Sequence, residues 1–324
     1  MSTPVAKRLQ RSARSVLVRA VIPLLQLLPL GPALRLGGTV GRLAHGLAGG
    51  TRRLAAANLA QAFPEKSDAE RAAIVRGMFV HLGRTVLELA AIRSYDDRLD
   101  SYIELSPPEL LKQVMARGKG MVFVTGHVGS WELLARRIAR SGVPNAVIAK
   151  ANSDRRLNAL LERFRQEGGV TTLWREDPDT SRAIIRTFRA GRALGLLIDQ
   201  DTKVQGVFVP FFGRLAFTPR AAADFALRFG APVVVGTIHR RGPRPGDGHL
   251  LTLAEIPFAS DPPDRETEVI RLTAACTAAL EQAIRRHPAE WVWMHERWRT
   301  RPPGERGDST QAKAMPKSAE LSGG

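Results

Sequence analysis

The sequence predicts an α/β fold, a mostly parallel central sheet flanked by helices, preceded by an N-terminal helical segment suited to a membrane surface. Three observations predict it. Between residues 118 and 239, short β-rich apolar runs alternate with helical segments, the pattern of a layered α/β domain. The first of these runs, Met121-Val122-Phe123-Val124, is apolar along its whole length, which fits a strand covered on both faces. The first 64 residues contain no Asp or Glu, while Lys7, Arg8, Arg11, Arg14, Arg19, Arg35, Arg42, Arg52 and Arg53 are all basic and surround an apolar run over 16–36.

That run is interrupted by Arg19, Gln26 and Arg35 and by Pro23, Pro29 and Pro32. A spanning helix needs roughly 20 uninterrupted apolar residues, so an interfacial element lying on the membrane is expected instead. No small-residue cleavage site follows before Arg35, which argues against a secretory signal. Residues 51–92 read as helices, because Ile74, Met78, Leu82, Val86 and Leu89 recur at three- and four-residue steps. Ser67-Asp68-Ala69-Glu70 is a capping box for the second of them. Strands follow at 121–124, 146–149, 170–173, 193–198, 232–239 and 249–256. Helices are expected at 131–141, 154–167, 180–190, 219–229 and 264–286. Beyond Arg301 too few apolar groups remain to bury, so a disordered tail is expected. The expected division is a membrane-associating segment at 1–50, an α/β domain at 51–301 and the tail at 302–324.

Composition narrows the partners. Forty-eight Lys and Arg against 31 Asp and Glu leave a formal charge of +17, which suits a polyanionic surface. The pairing of basic residues with an apolar run favours a membrane surface over nucleic acid. The single cysteine, Cys276, excludes an intrachain disulfide and a cysteine zinc cage. No Gly-x-Gly-x-x-Gly after a strand and no Walker lysine motif supports nucleotide binding.

The feature that bears most on chemistry is Gly126-His127-Val128-Gly129-Ser130-Trp131-Glu132. It places a histidine at a strand's end, where ligand sites gather in open α/β sheets, and a carboxylate in the first turn of the next helix. His127 can take a proton from a hydroxyl nucleophile, and Glu132 on its other nitrogen would fix the tautomer. Helix N-terminal N–H groups would stabilise an oxyanion. His45, His81, His239 and His249 have no paired carboxylate in sequence and are expected to be structural or surface groups. His295 is expected to pack or hydrogen-bond near Arg297. Trp291, Trp293 and Trp298 fit either an interfacial aromatic belt or core packing.

In its setting, this His-x4-Glu resembles the lysophospholipid acyltransferase superfamily, and within it the lipid A biosynthesis late acyltransferases, whose fold is glycerol-3-phosphate acyltransferase-like. Asp199-Gln200-Asp201, Phe208-Val209-Pro210-Phe211-Phe212-Gly213, Ala216-Phe217-Thr218-Pro219 and Trp293-Met294-His295-Glu296-Arg297-Trp298 agree in order and approximate spacing. The resemblance covers residues 58–302. It implies an O-acyltransferase moving a fatty acyl chain from acyl carrier protein, or acyl-CoA, onto a hydroxyl of a glycolipid acceptor, a lipid A precursor, at the cytoplasmic face of the bacterial inner membrane. His127 would be the general base and Glu132 its orienter, with no covalent acyl-enzyme, metal or cofactor required. The family's arginine maps onto Arg163 or Arg165, which would clamp a phosphate or a carrier's phosphopantetheine, and its aspartate onto Asp199, which would hold that arginine. Asp201 and the aromatics Phe208, Phe211 and Phe212 fall in the implied substrate region, the latter as an acyl channel. The same chemistry on a lysophospholipid, an ornithine lipid or a phosphatidylinositol mannoside is the alternative. Thr202-Lys203 replaces the aromatic and glycine that commonly follow Asp-Gln-Asp, which bears on the acceptor rather than the reaction class.

Overall fold

The computed structural model describes residues 25–304. The basic residues and the larger part of the apolar run before residue 25, and most of the expected tail, lie outside them. Three helices lead in: α1 (Leu30–Leu47), α2 (Gly49–Ala62) and α3 (Asp68–Ala90). The capping box at the start of α3 is formed, with Glu70 N–H donating to Ser67 Oγ at 3.3 Å and Ser67 N–H to Glu70 Oε2 at 2.8 Å. Helices α1 and α3 run antiparallel at backbone contact. A Cβ on Gly37 would sit 2.4 Å from the Gly83 carbonyl oxygen, and one on Gly41 2.2 Å from that of Phe79.

The central sheet has seven strands: β1 (Ile103–Ser106), β2 (Met121–Thr125), β3 (Asn145–Ala149), β4 (Val170–Trp174), β5 (Ala193–Leu197), β8 (Val233–Arg240) and β9 (His249–Ile256). Their order is β1-β9-β8-β2-β5-β3-β4. Every neighbouring pair is parallel except β8 and β9, which the short excursion at 241–248 turns back on itself. The crossovers are α5 (Trp131–Arg140), α6 (Arg155–Glu167), α7 (Thr180–Arg189) and α8 (Ala221–Phe229), with α4 (Leu110–Met115) before β2 and α9 (Arg265–Arg286) after β9. Side chains of β2, β5 and β3 alternate between two cores. Val122, Val124, Leu194 and Leu196 face α7, α8 and α9, whereas Met121, Phe123 and Ala193 face the side of α5.

Helix α4, strand β1 and a β-hairpin are additions to the sequence reading. Strand β1 is only four residues long and its alternation is weak. The segment around Pro210 forms a hairpin of β6 (Gly206–Phe211) and β7 (Arg214–Pro219), separate from the main sheet. Its two-residue turn places Phe212 at φ 52° and Gly213 at φ 72°, the left-handed pair that a tight hairpin needs. Proline at 210 is tolerated because the hairpin is only two strands wide.

Candidate active site

His127 follows β2 directly, and Asp199 follows β5, the strand beside it. Ile198 N–H donates to the Thr125 carbonyl at 3.2 Å, so the two chains leave the sheet side by side. Asp199 Oδ1 lies 2.9 Å from His127 Nδ1, and Asp199 Oδ2 accepts the His127 backbone N–H at 2.7 Å and Trp291 Nε1–H at 2.8 Å. Asp199 is 2% exposed, and three donors surround its charge. Gly126 makes the approach feasible, since a Cβ there would meet the Asp199 carboxyl carbon at 2.9 Å. A carboxylate only accepts, so Nδ1 carries the proton and the Nε2 lone pair is left free.

Burial pulls the His127 pKa down, but the charge and hydrogen bond of Asp199, with Glu132 adding, outweigh it and leave the imidazole more basic than usual. Burial alone would raise Asp199; the His127 charge and hydrogen bond, then His295 and Trp291, hold it well below the usual carboxylate range instead. His295 sits on the other side, with Nε2 3.2 Å from the Asp199 carbonyl oxygen and its ring edge-on to Trp291. Burial lowers its pKa despite Asp199.

Glu132 does not hold His127. It takes a bidentate pair from Arg165, Nε to Oε2 at 2.8 Å and Nη2 to Oε1 at 2.7 Å. The reason is topological: the first turn of α5 faces α6, whereas the strand neighbour of His127 is β5. The same contact separates the two arginines, for Arg163 pairs with Glu167 on the exposed face of α6. Asp199 therefore holds the histidine, and the arginine is held by Glu132.

The His127 loop is braced from behind. Val128 bridges to Trp291, and Gly129 N–H donates to the Glu290 carbonyl at 2.8 Å. Gly129 has φ 62°, and a Cβ there would lie 1.8 Å from the Ile238 carbonyl oxygen, so only glycine fits. Behind that, Glu88 is fully buried and accepts from both Arg240 Nη atoms at 2.9 and 2.7 Å, from Tyr102 Oη–H and, at 2.9 Å, from His249 Nε2. Burial would raise the Glu88 pKa, but His249 and Arg240 drive it far below its ordinary value.

His127 opens onto a cavity of about 1240 Å3. One wall is the sheet face of Phe123, Thr125, Ala193, Gly195, Asn145 and Val147; the other is α5 through Leu134, Ala135 and Ile138, with Leu82, Val86 and Leu89 of α3. From the His127 end to the Met121 level is about six residues, roughly 20 Å at a strand rise of 3.3 Å per residue. The chamber is an apolar slot with its ionisable groups at one end.

This corrects the expected channel. Phe211 and Phe212 are buried in an aromatic cluster with Phe63, Trp291, Trp293 and Trp298, and Phe208 packs edge-on to Phe217 across the hairpin. None of the three lines the slot. The three tryptophans are core groups, and Asp201 pins the segment at 299–300 by accepting Thr300 N–H at 2.7 Å and pairing with Arg299. Arg297 is buried too: its guanidinium donates to the Phe217 carbonyl and Thr218 Oγ1 at 2.6 Å each, and its backbone N–H donates to the His295 carbonyl at 2.9 Å.

The model of the bacterial lipid A biosynthesis acyltransferases matches residues 5–300. The chain belongs to that family. It is 26% identical over 280 residues to the lipid A biosynthesis lauroyltransferase of Escherichia coli, covering 86% of this chain and 88% of that protein. The lipid A biosynthesis palmitoleoyltransferase of the same organism is 24% identical over 273 residues, 83% of this chain and 86% of the relative. A phosphatidylinositol mannoside acyltransferase of Mycolicibacterium smegmatis is 21% identical over 203 residues, 62% of this chain and 64% of the relative. An O-acyltransferase of this family needs an acyl donor and a lipid acceptor, and the slot beside His127 has the apolar character a fatty acyl chain requires.

Proposed function

We propose that the protein transfers a fatty acyl group from acyl carrier protein, or from acyl-CoA, to a hydroxyl of a lipid A precursor, with His127 as general base. The observation that carries the reading is the His127–Asp199 couple with a free Nε2 at the end of an apolar slot. The acceptor hydroxyl oxygen attacks the thioester carbonyl carbon while its proton passes to Nε2. The C–S bond then breaks, and the proton on Nε2 goes to the departing thiolate. Asp199 keeps Nδ1–H in place and stabilises the imidazolium formed on the way. Ser130 makes no side-chain cap to α5, so N–H groups of its first turn remain for the carbonyl oxygen as charge develops. Glu132 and Arg165 tie α5 to α6 beside the reacting centre.

The protein works, in this reading, at the cytoplasmic face of the bacterial inner membrane. Among the described residues no helix is long and apolar enough to cross a membrane. Helix α1 instead exposes Leu36, Val40, Leu43 and Leu47, a stripe at helical spacing beside Arg35 and Arg42. At about 100° per residue the stripe lies roughly 120° from the face that meets α3. Leu82, Val86 and Leu89 stand at a similar offset on α3, and in an antiparallel pair both faces fall on the same side. The apolar stripe and the slot thus share one side of the α1–α3 layer, where a lipid acceptor would enter.

The test is transfer by purified protein and by His127→Ala, with acyl carrier protein loaded with several chain lengths and an under-acylated lipid A precursor. Transfer by wild type alone supports both base and acceptor. Equal transfer by the variant removes His127 as base. Transfer only to a phosphatidylinositol mannoside, a lysophospholipid or an ornithine lipid would move the acceptor.

A further inference from the structure

The charged groups lining the slot are few, and their pairing leaves a remainder. Besides His127 they are Glu132, Lys150, Arg165 and Arg175. Glu132 and Arg165 neutralise each other, yet Arg165 Nη1 is buried and has no partner. Lys150 and Arg175 make no ion pair or side-chain hydrogen bond with any described residue. No acid in the lining answers them.

Their placement is fixed by the sheet. Ala149 pairs with Trp174 across β3 and β4, and Arg175 N–H donates to the Ala149 carbonyl at 2.9 Å. Lys150 and Arg175 are therefore equivalent next residues at the C-terminal ends of adjacent parallel strands, the edge where open α/β sheets bind ligands. Asn152 and Ser153 continue the same rim. The strands end level, since Thr125 pairs with Leu197 and Gly195 with Val147. Two and three strand spacings separate β2 from β3 and β4, which puts the two cations about 10 to 15 Å from the His127 end at 4.8 Å per strand.

We propose that Lys150 and Arg175 form a binding site for a substrate's phosphate ester, the phosphate of the donor's pantetheine arm. The proposal rests on the acyl-transfer reading and deepens it. A pantetheine thioester is an extended arm with a phosphate at one end and the reacting carbonyl at the other, and the site and His127 stand apart along the rim as those two groups do. The fatty chain then occupies the slot while its anionic end stays at the wet edge. Arginine offers the phosphate a fork of donors and lysine a point charge.

Two measurements test it. Calorimetric titration with phosphopantetheine, and with pantetheine as the phosphate-free control, needs no turnover and so does not depend on the catalytic reading. The Lys150→Ala/Arg175→Ala variant, both positions being exposed, is expected to bind phosphopantetheine at least about tenfold more weakly with pantetheine unchanged. In transfer assays the variant's KM for the acyl carrier donor is expected to rise by a similar factor at unchanged kcat, and the difference to vanish with an acyl-N-acetylcysteamine donor that has no phosphate. If the KM for a phosphorylated glycolipid acceptor rises instead, and the difference persists with the phosphate-free donor, the site holds phosphate but from the acceptor. Unchanged phosphopantetheine affinity together with unchanged KM for both substrates overturns the site. A wild type that binds phosphopantetheine but transfers nothing keeps the site and refutes the acyl-transfer reading.

Discussion

Replacing Asp199 with asparagine probes the proposed base through its tautomer. Asp199 Oδ2 accepts two N–H groups, from the His127 backbone and Trp291, while Oδ1 meets Nδ1. An asparagine has one acceptor oxygen. Placed toward Nδ1, it would turn its NH2 toward two buried donors and leave both unpaired, at about 1–3 kcal/mol each. The oxygen therefore stays on the paired donors, and the NH2 faces Nδ1. Nδ1 must then accept, the proton moves to Nε2, and the base is lost. The corresponding change in a histidine–aspartate hydrolytic triad lowers kcat by about 10^4, equal to about 5 kcal/mol of transition-state stabilisation at 1.36 kcal/mol per decade. We expect a loss of that order in kcat for Asp199→Asn, with donor KM little changed, and 15N chemical shifts of His127 that report the switched tautomer. A kcat within tenfold of wild type in a variant with the switched tautomer would refute Nε2 as the proton acceptor.

Because the His127 pKa is raised, the acid limb of kcat/KM should lie above about 6.5; an inflection below 6 in a pH–rate profile would contradict the couple. The same shifts predict stability. The contribution of a raised histidine is full below about 6.5 and lost as pH rises through its folded pKa, while that of a depressed aspartate is present above about 3.9 and lost as pH falls. The stability deficit of Asp199→Asn should accordingly be larger at pH 6 than at pH 9 in urea unfolding. A Cβ on Gly195 would stand 3.1 Å from Val147 Cγ1 within the slot wall, so Gly195→Val should shift donor preference toward shorter acyl chains in competition assays. Glu88→Gln leaves the Arg240 charge without its buried counterion and should lower unfolding free energy by about 3–5 kcal/mol by denaturant titration.

The parallel sheet was legible because its signal is local. A strand buried on both faces is apolar throughout, and 121–124, 193–197 and 233–236 all show it. Strand β1 was not legible, because its partner His249 lies far along the chain and four residues with Glu104 among them carry little alternation. The hairpin was missed for a different reason. Phe208, Phe211 and Phe212 look like pocket aromatics in sequence, but the turn at Phe212 and Gly213 sends two of them into the core, where Arg285 stacks 4.5 Å from the Phe212 ring centroid. The slot itself is built from Gly195, Val147, Ala135 and Leu82, whose small or ordinary side chains carry no functional signal one at a time.

The two carboxylates show where sequence spacing misleads. Five residues separate Glu132 from His127 and 72 separate Asp199 from it, so proximity in sequence points to the wrong partner. What decides is that β2 and β5 are neighbours and end level, whereas the helix after β2 turns its first acidic residue toward α6. The division has a chemical consequence. A carboxylate locked to an arginine by two hydrogen bonds is already neutralised and would stabilise an imidazolium poorly, whereas Asp199 has only N–H dipoles and His127 as near donors. Its full charge is thus directed at the His127 ring, which accepts the proton in the proposed mechanism. The arginine pair, in turn, keeps Glu132 from competing for His127, so that one histidine tautomer is set by one acid.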